Sequence, residues 1–149
     1  MQLDLDNYVP GLLLWLSNKI ASSATQVYRS RFGIGVTDWR VLAYFEVYPW
    51  TTASSACELM GLDKAAVSRS IAFLSESEWL RSRPSGLRKI EYRTTAKGKA
   101  FHDEVLLVAE AREEALLDGM SQADRARLIR LLHHMLKNLP AMGSVGEAD

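Results

Sequence analysis

The 149-residue chain carries 18 basic and 18 acidic side chains, so it is formally neutral, and 48% of it is hydrophobic. That size suits one domain with an appended helical part and enough apolar content for a real core; no run of about 18 uncharged apolar residues reads as a membrane span. A single cysteine and three histidines leave no expectation of an internal disulfide, a structural zinc site or another cofactor, and the expected compartment is the cytoplasm.

The first long helix is expected from about Asn7 to Phe32. Leu12, Leu13, Leu16, Ile20, Ala24, Val27 and Tyr28 recur there at three- and four-residue steps, and Leu14 and Trp15 widen the apolar belt. The cluster from Val9 to Leu16 has no basic segment ahead of it, which does not fit a signal peptide. At 1.5 Å per residue the helix would be about 39 Å long, a length suited to a dimer interface. Gly33 and Gly35 break it. A second helix from Val36 to Tyr48 carries Trp39, Val41, Leu42 and Phe45, and Pro49 stops it. Thr52 is the N-cap of a short helix, Ala53 to Met60, with Ala56, Leu59 and Met60 inward.

The joint Gly61-Leu62-Asp63 leads into the central helix. Gly61 suits the left-handed residue that ends one helix, and Asp63 suits the N-cap of the next. Two short helices joined by a tight glycine-containing turn read as a helix-turn-helix. Val67, Ile71 and Leu74 share one face of the second helix, while Lys64, Ala65, Ser68, Arg69 and Ala72 share the other. That outward face is small and cationic, with no carboxylate, and is shaped for close approach to an anion. Ala65 and Ser68 let the axis sink toward base edges. Arg69 reaches either a guanine O6/N7 pair or a flanking phosphate.

After Glu78 the pattern alternates, through Trp79 to Arg83 and again through Lys89 to Thr94, around the turn Pro84-Ser85-Gly86. A hairpin directly after a helix-turn-helix is a wing. Between Arg81 and Lys99 seven basic residues face Glu91 alone, which favours phosphate contact over simple edge protection. Residues 50–99 hold nine basic and five acidic side chains, a net of +4, against a neutral first third and a net of −4 in the last. The nucleic-acid face is therefore expected on the central third. The candidate DNA-contacting residues are Thr52, Ser54 and Ser55, then Asp63, Lys64, Ala65, Ser68 and Arg69, and on the hairpin Arg83, Arg88 and Lys89.

Thr95 caps the next helix, about Ala96 to Leu117, with Phe101, Val105, Val108 and Ala111 or Ala115 inward, and Gly119 ends it. Ser121 to Asp124 form a capping box for a last helix to about Asn138, striped with Leu128, Leu131, Leu132, Met135, Leu136 and Leu139. The expected organisation is a dimerisation helix over 1–35, a winged helix-turn-helix over 36–98, dimerisation helices over 99–139, and a flexible tail over 140–149. The fold class is mainly α with a small β-hairpin wing.

The runs T-D-W-R-V-L-A-Y (Thr37 to Tyr44), T-A-S-S-A-C-E-L-M-G-L-D-K-A-A-V-S-R-S (Thr52 to Ser70) and T-A-K-G (Thr95 to Gly98) resemble the MarR family of transcription regulators, over roughly residues 7–139. The resemblance implies a symmetric homodimer with interleaved terminal helices. It also implies binding to a pseudo-palindromic DNA operator, generally as a repressor, with release by a small and often aromatic ligand. The family's wing commonly carries an Asp two residues before an Arg that enters the minor groove. Here Arg88 matches that Arg, but Gly86 stands at the Asp position and the turn is about two residues shorter.

The aromatic residues of the first third read first as core. The family's effector pocket lies where the first two helices meet the winged domain, and a planar acid or its thioester would suit such walls. The candidate ligand residues are Trp15, Lys19, Tyr28, Arg29, Trp39 and Arg40. His133 and His134 are adjacent on a helix, point about 100° apart and do not share a metal. No nucleophile–base pair, carboxylate pair or phosphate-cradling loop is present, which speaks against an enzyme. Two other readings remain: a redox-responsive repressor acting through Cys57, which otherwise reads as a small buried hydrophobe, and a winged-helix protein-interaction module that binds no DNA.

Overall fold

The computed structural model describes residues 1–147. Among them are six α-helices and a three-stranded antiparallel sheet: α1 (Val9–Phe32), α2 (Val36–Val47), β1 (Thr51–Thr52), α3 (Ala53–Met60), α4 (Lys64–Glu76), β2 (Leu80–Pro84), β3 (Ile90–Thr94), α5 (Ala96–Leu116) and α6 (Gln122–Ser144). The strand order is β1-β3-β2. The sequence predicts the hairpin but not β1, whose two residues pair Thr51 with Tyr92 and Thr52 with Glu91. Two residues carry no periodicity, so only the partner strand defines them.

The helix starts follow local chemistry. A short 3-10 turn, Leu5–Asn7, precedes α1, and Asp4 accepts from the Asp6 amide and the Asn7 side chain. Pro10 then sits in the first turn of α1, where a missing N–H costs nothing, so the helix begins at Val9 rather than Asn7. The chain leaves α1 through Gly33 at φ 70°. Ser121 accepts from the Asp124 amide at 3.1 Å to start α6, and donates to the Asp124 carboxylate at 2.8 Å. That last helix runs past the expected Asn138 to Ser144 and contains Pro140. Pro140 removes one backbone bond on an exposed helix with no buried residue, where water replaces the lost partner. The expected tail from 140 is therefore helical through Ser144, and residues 148 and 149 lie outside the described residues.

The chain divides into two compact units, Met1–Val108 and a second that begins at Ala109. In the first, Val41, Leu42 and Phe45 of α2, Ala56 of α3, Val67, Ile71 and Leu74 of α4 and Leu80 of β2 form one core. Each large side chain fully buried there contributes about 1.5–3 kcal/mol. A second core joins Ala24 and Tyr28 of α1 to Ile34 and Val105. The end of α1 thus belongs to this unit rather than to a separate domain over 1–35. The start of α1 is uncovered: Leu12, Leu13, Leu14, Trp15 and Leu16 are all exposed. Leu59, expected inward, is also exposed, because α3 is only two turns long and turns Ala56 into the core, with Ala53, Cys57 and Met60 packed beside it.

In the second unit, the Arg125 guanidinium bridges both Glu114 carboxylate oxygens at 2.8 Å and donates to the Leu117 carbonyl at 3.3 Å. These bonds fasten the α5–α6 corner. Ala111 and Ala115, alternatives for the inward face, are both exposed here. So are Ile129, Leu131, Leu132, Leu136, Leu139 and Met142 of α6. No described helix is long and apolar enough to cross a membrane.

Candidate nucleic-acid interface

The geometry of α4 begins at its cap. Gly61 holds φ 63° and closes α3, and the following Asp63 accepts from the Ala65 and Ala66 amides at 3.1 and 3.2 Å. A cap of this kind stabilises by about 1 kcal/mol and fixes the rotation at which the helix starts. From there Val67, Ser70, Ile71 and Leu74 turn inward and are buried, while Lys64, Ala65, Ser68, Arg69 and Ala72 are exposed. Among the described residues, neither Lys64 nor Arg69 has an ion-pair partner. The inward face carries one polar anchor: Ser70 donates to Asp38 Oδ1 at 2.7 Å. Asp38 Oδ2 in turn accepts from the Gly35 amide at 2.9 Å. One carboxylate therefore caps α2 and ties it to α4.

Thr52 caps α3, accepting from the Ser55 amide at 3.1 Å and meeting the Ser55 hydroxyl at 3.0 Å. Ser54 and Ser55 are exposed at this helix start. On the wing, the Ser85 amide donates to the Lys89 carbonyl at 2.9 Å, closing a loop in which Gly86 and Arg88 have φ of 70° and 64°. Arg88 and Lys89 are exposed at its tip, with no ion-pair partner among the described residues. Arg83 is differently engaged. Its Nε donates to Glu91 at 2.8 Å and its guanidinium lies 4.2 Å from the centre of the Trp50 ring, so it is turned onto the sheet.

A cleft of about 460 Å³ opens where α1, α2 and α4 meet, lined by Arg29, Asp38, Arg69, Ser70, Phe73 and neighbouring residues. Of the six candidate ligand residues, Arg29 alone lines it. Tyr28 is buried in the second core, edge-on to Trp39 at 6.2 Å, and Trp39 stacks on His102 at 5.1 Å. Trp15 and Lys19 are exposed further up α1, and Arg40 is half-buried on α2 outside the cleft. Cys57 is half-buried against the first core.

No protein-family model and no curated protein sequence matches the chain. Solved structures do. A MarR/EmrR family transcriptional regulator from Acinetobacter sp. ADP1 superposes with a TM-score of 0.85 at 25% identity, over 93% of this chain and 99% of the other. A MarR family transcriptional regulator from Silicibacter pomeroyi gives 0.84 at 18% identity, over 99% and 100%. The chain has the winged helix-turn-helix fold of MarR-family regulators. FabT of Streptococcus pneumoniae, solved in complex with DNA, gives 0.66 at 20% identity, over 90% of this chain and 96% of that one.

Lys64, Ala65, Ser68 and Arg69 share the exposed face of α4, whereas the aromatic set of the first third does not line the cleft. Absent from the expected ligand set are Asp38 and Ser70, 32 positions apart, and Arg69, expected at DNA, which joins Arg29 in the cleft. The Asp three residues after Gly35 is a capping signal that marks its first role. Nothing local marks its second. His102 is buried, and its Nδ1 lies 3.0 Å from Asp103. The Lys99 ammonium, bonded at 2.9 Å, and then His102 hold the Asp103 carboxyl below its ordinary range. The same bond from Asp103 raises the Lys99 pKa, helped by the charge of Glu46.

Proposed function

We propose that the protein is a sequence-specific DNA-binding transcription regulator that acts as a homodimer on a pseudo-palindromic operator and is released by a small anionic ligand. The observation that carries the reading is the outward face of α4. It presents Lys64, Ala65, Ser68 and Arg69, free of carboxylates, from a helix whose rotation Asp63 and the Asp38–Ser70 bond fix. Small side chains at 65 and 68 allow close approach to a major groove, and Arg69 supplies a forked donor for guanine or phosphate. The exposed wing tip with Arg88 and Lys89, and Ser54 and Ser55 at the start of α3, supply flanking phosphate contacts. The DNA complex of FabT, a protein with a similar fold, supports the same reading. The uncovered apolar stretch of α1 and the uncovered stripe of α6 support self-association, since a soluble monomer rarely leaves such patches open.

The cleft beside α4 supports the ligand reading. Arg29 and Arg69 both line it, so an anion there draws on the guanidinium that the operator needs. Such a ligand binds the free form better than the DNA-bound form, which is the condition for release. The reading favours repression, with the effector an aromatic acid or a molecule of similar charge.

The test is titration of the Arg69→Ala protein against operator DNA at fixed salt, with melting measured alongside. Loss of about 1–3 kcal/mol per half-site is expected, with little change in melting because Arg69 is exposed. Unchanged affinity and unchanged discrimination against scrambled DNA would show that α4 is not the reader.

A further inference from the structure

The outer face of the wing carries a second concentration of positive charge that the α4 reading does not use. Arg81 and Arg93 stand directly opposite each other across β2 and β3, a like-charge pair that destabilises a ladder. Next to them Arg83 opposes Glu91 and is neutralised by it at 2.8 Å. Arg81 and Arg93 have no ion-pair partner among the described residues, and Arg93 Nε is shut from solvent with no acceptor. Their guanidinium carbons lie 5.4 and 5.6 Å from the centre of the Trp50 ring, stacked as cations on an aromatic face. Trp50 holds φ 59°, a left-handed conformation rare for so bulky a residue, secured by a hydrogen bond from its amide to the Tyr92 carbonyl at 2.8 Å. Strain, like-charge opposition and an orphaned donor meet at one place.

Beside this face a cleft of about 390 Å³ reaches the first turn of α5, lined by Arg81, Arg93, Lys99, Glu46 and Thr95 among others. Glu46 is already engaged, accepting from the Thr94 hydroxyl and lying 3.8 Å from Lys99. Three cations against one lining carboxylate leave a net of +2, of which Asp103, bonded to Lys99 at 2.9 Å from outside the lining, offsets a part. We propose that this cleft binds a small phosphorylated molecule through its dianionic phosphate group, held by Arg81, Arg93 and Lys99. Guanidinium forks match phosphate oxygens in pairs, and Lys99 adds a compact charge. The volume is that of a small-molecule site. Arg81 also lies about 10 Å of strand, plus the turn, from the exposed wing tip, which separates this site from the tip that the DNA reading uses.

The experiment is calorimetric titration of the 149-residue chain with inorganic phosphate and with phenyl phosphate, at ionic strength held constant with sodium chloride. Arginine Nε–H resonances are followed by NMR in parallel. Saturable binding of phenyl phosphate, one per chain, with the Arg93 Nε–H resonance moving, is expected. Arg93→Gln should weaken it at least about tenfold, the loss of one charge-assisted bond. Should Arg93→Gln not fold, Arg81→Gln and Lys99→Gln carry the same expectation, and Arg88→Gln at the wing tip should bind as the parent does. Equal affinity in the glutamine variants, no response beyond that of chloride, binding of inorganic phosphate alone, or movement of Arg93 by duplex DNA only would each overturn the proposal. None of these readouts depends on operator binding.

Discussion

Asp38→Ala removes a carboxylate that serves two elements, so its cost follows from two bonds. The Gly35 amide loses its 2.9 Å acceptor at the start of α2, a capping loss of about 1 kcal/mol. The Ser70 hydroxyl loses its 2.7 Å acceptor while its residue stays 4% exposed, and an unsatisfied buried donor costs about 1–3 kcal/mol. The variant should therefore be less stable by about 2–4 kcal/mol, a large part of a typical total. Ser70→Ala should cost only about 1 kcal/mol, because it removes the donor together with its need for a partner. In a double-mutant cycle the pair should show coupling of about 1–2 kcal/mol, since once Asp38 is gone the serine hydroxyl contributes nothing favourable. Urea unfolding at fixed protein concentration reads these differences as shifts of midpoint at constant slope. Strictly additive effects, or an Asp38→Ala cost below about 0.5 kcal/mol, would refute the view that this bond fixes α4 against α2.

Gly98→Ala should destabilise severely, by more than about 3 kcal/mol, because its Cβ would overlap the backbone carbonyl of Trp79, which already accepts from the Thr95 amide at 3.0 Å; thermal melting checks this. Val67→Asp should unfold the protein by circular dichroism, since Val67 is 0% exposed and an unpaired carboxylate has no partner there. Light scattering at micromolar concentration should give twice the 16.7 kDa of one chain, and a monomer mass would remove the role assigned to the exposed faces of α1 and α6. The depressed Asp103 pKa means the folded state binds that proton less readily than the unfolded one. Its stabilisation is present above the ordinary carboxylate pKa and fades as pH falls through the lower folded value. Asp103→Asn should therefore flatten the acid limb of a pH–stability curve and leave the difference between pH 6 and 8 unchanged, because the carboxyl is ionised in folded and unfolded chains alike over that interval.

The elements that the sequence by itself determined are those with local causes. Asp63 and Thr52 cap within three residues of themselves, Gly61 turns on its own φ, and Val67, Ile71 and Leu74 share a face by helical geometry alone. The hairpin is equally local, since alternation and a turn define it over 15 residues, Leu80 to Thr94. Tertiary structure decided whatever depends on two distant segments meeting. β1 exists because β3 offers Tyr92 and Glu91 as partners. Arg83 turns to Trp50 and Glu91 because sheet register brings them to one face, and Arg29 joins Arg69 because α1 and α4 border one cleft. Asp38 shows the division within one side chain: one oxygen caps its own helix, which spacing reveals, and the other accepts a hydrogen bond from the Ser70 hydroxyl. The packing of α2 on α4 creates that second bond, and helical periodicity at either residue carries no trace of it.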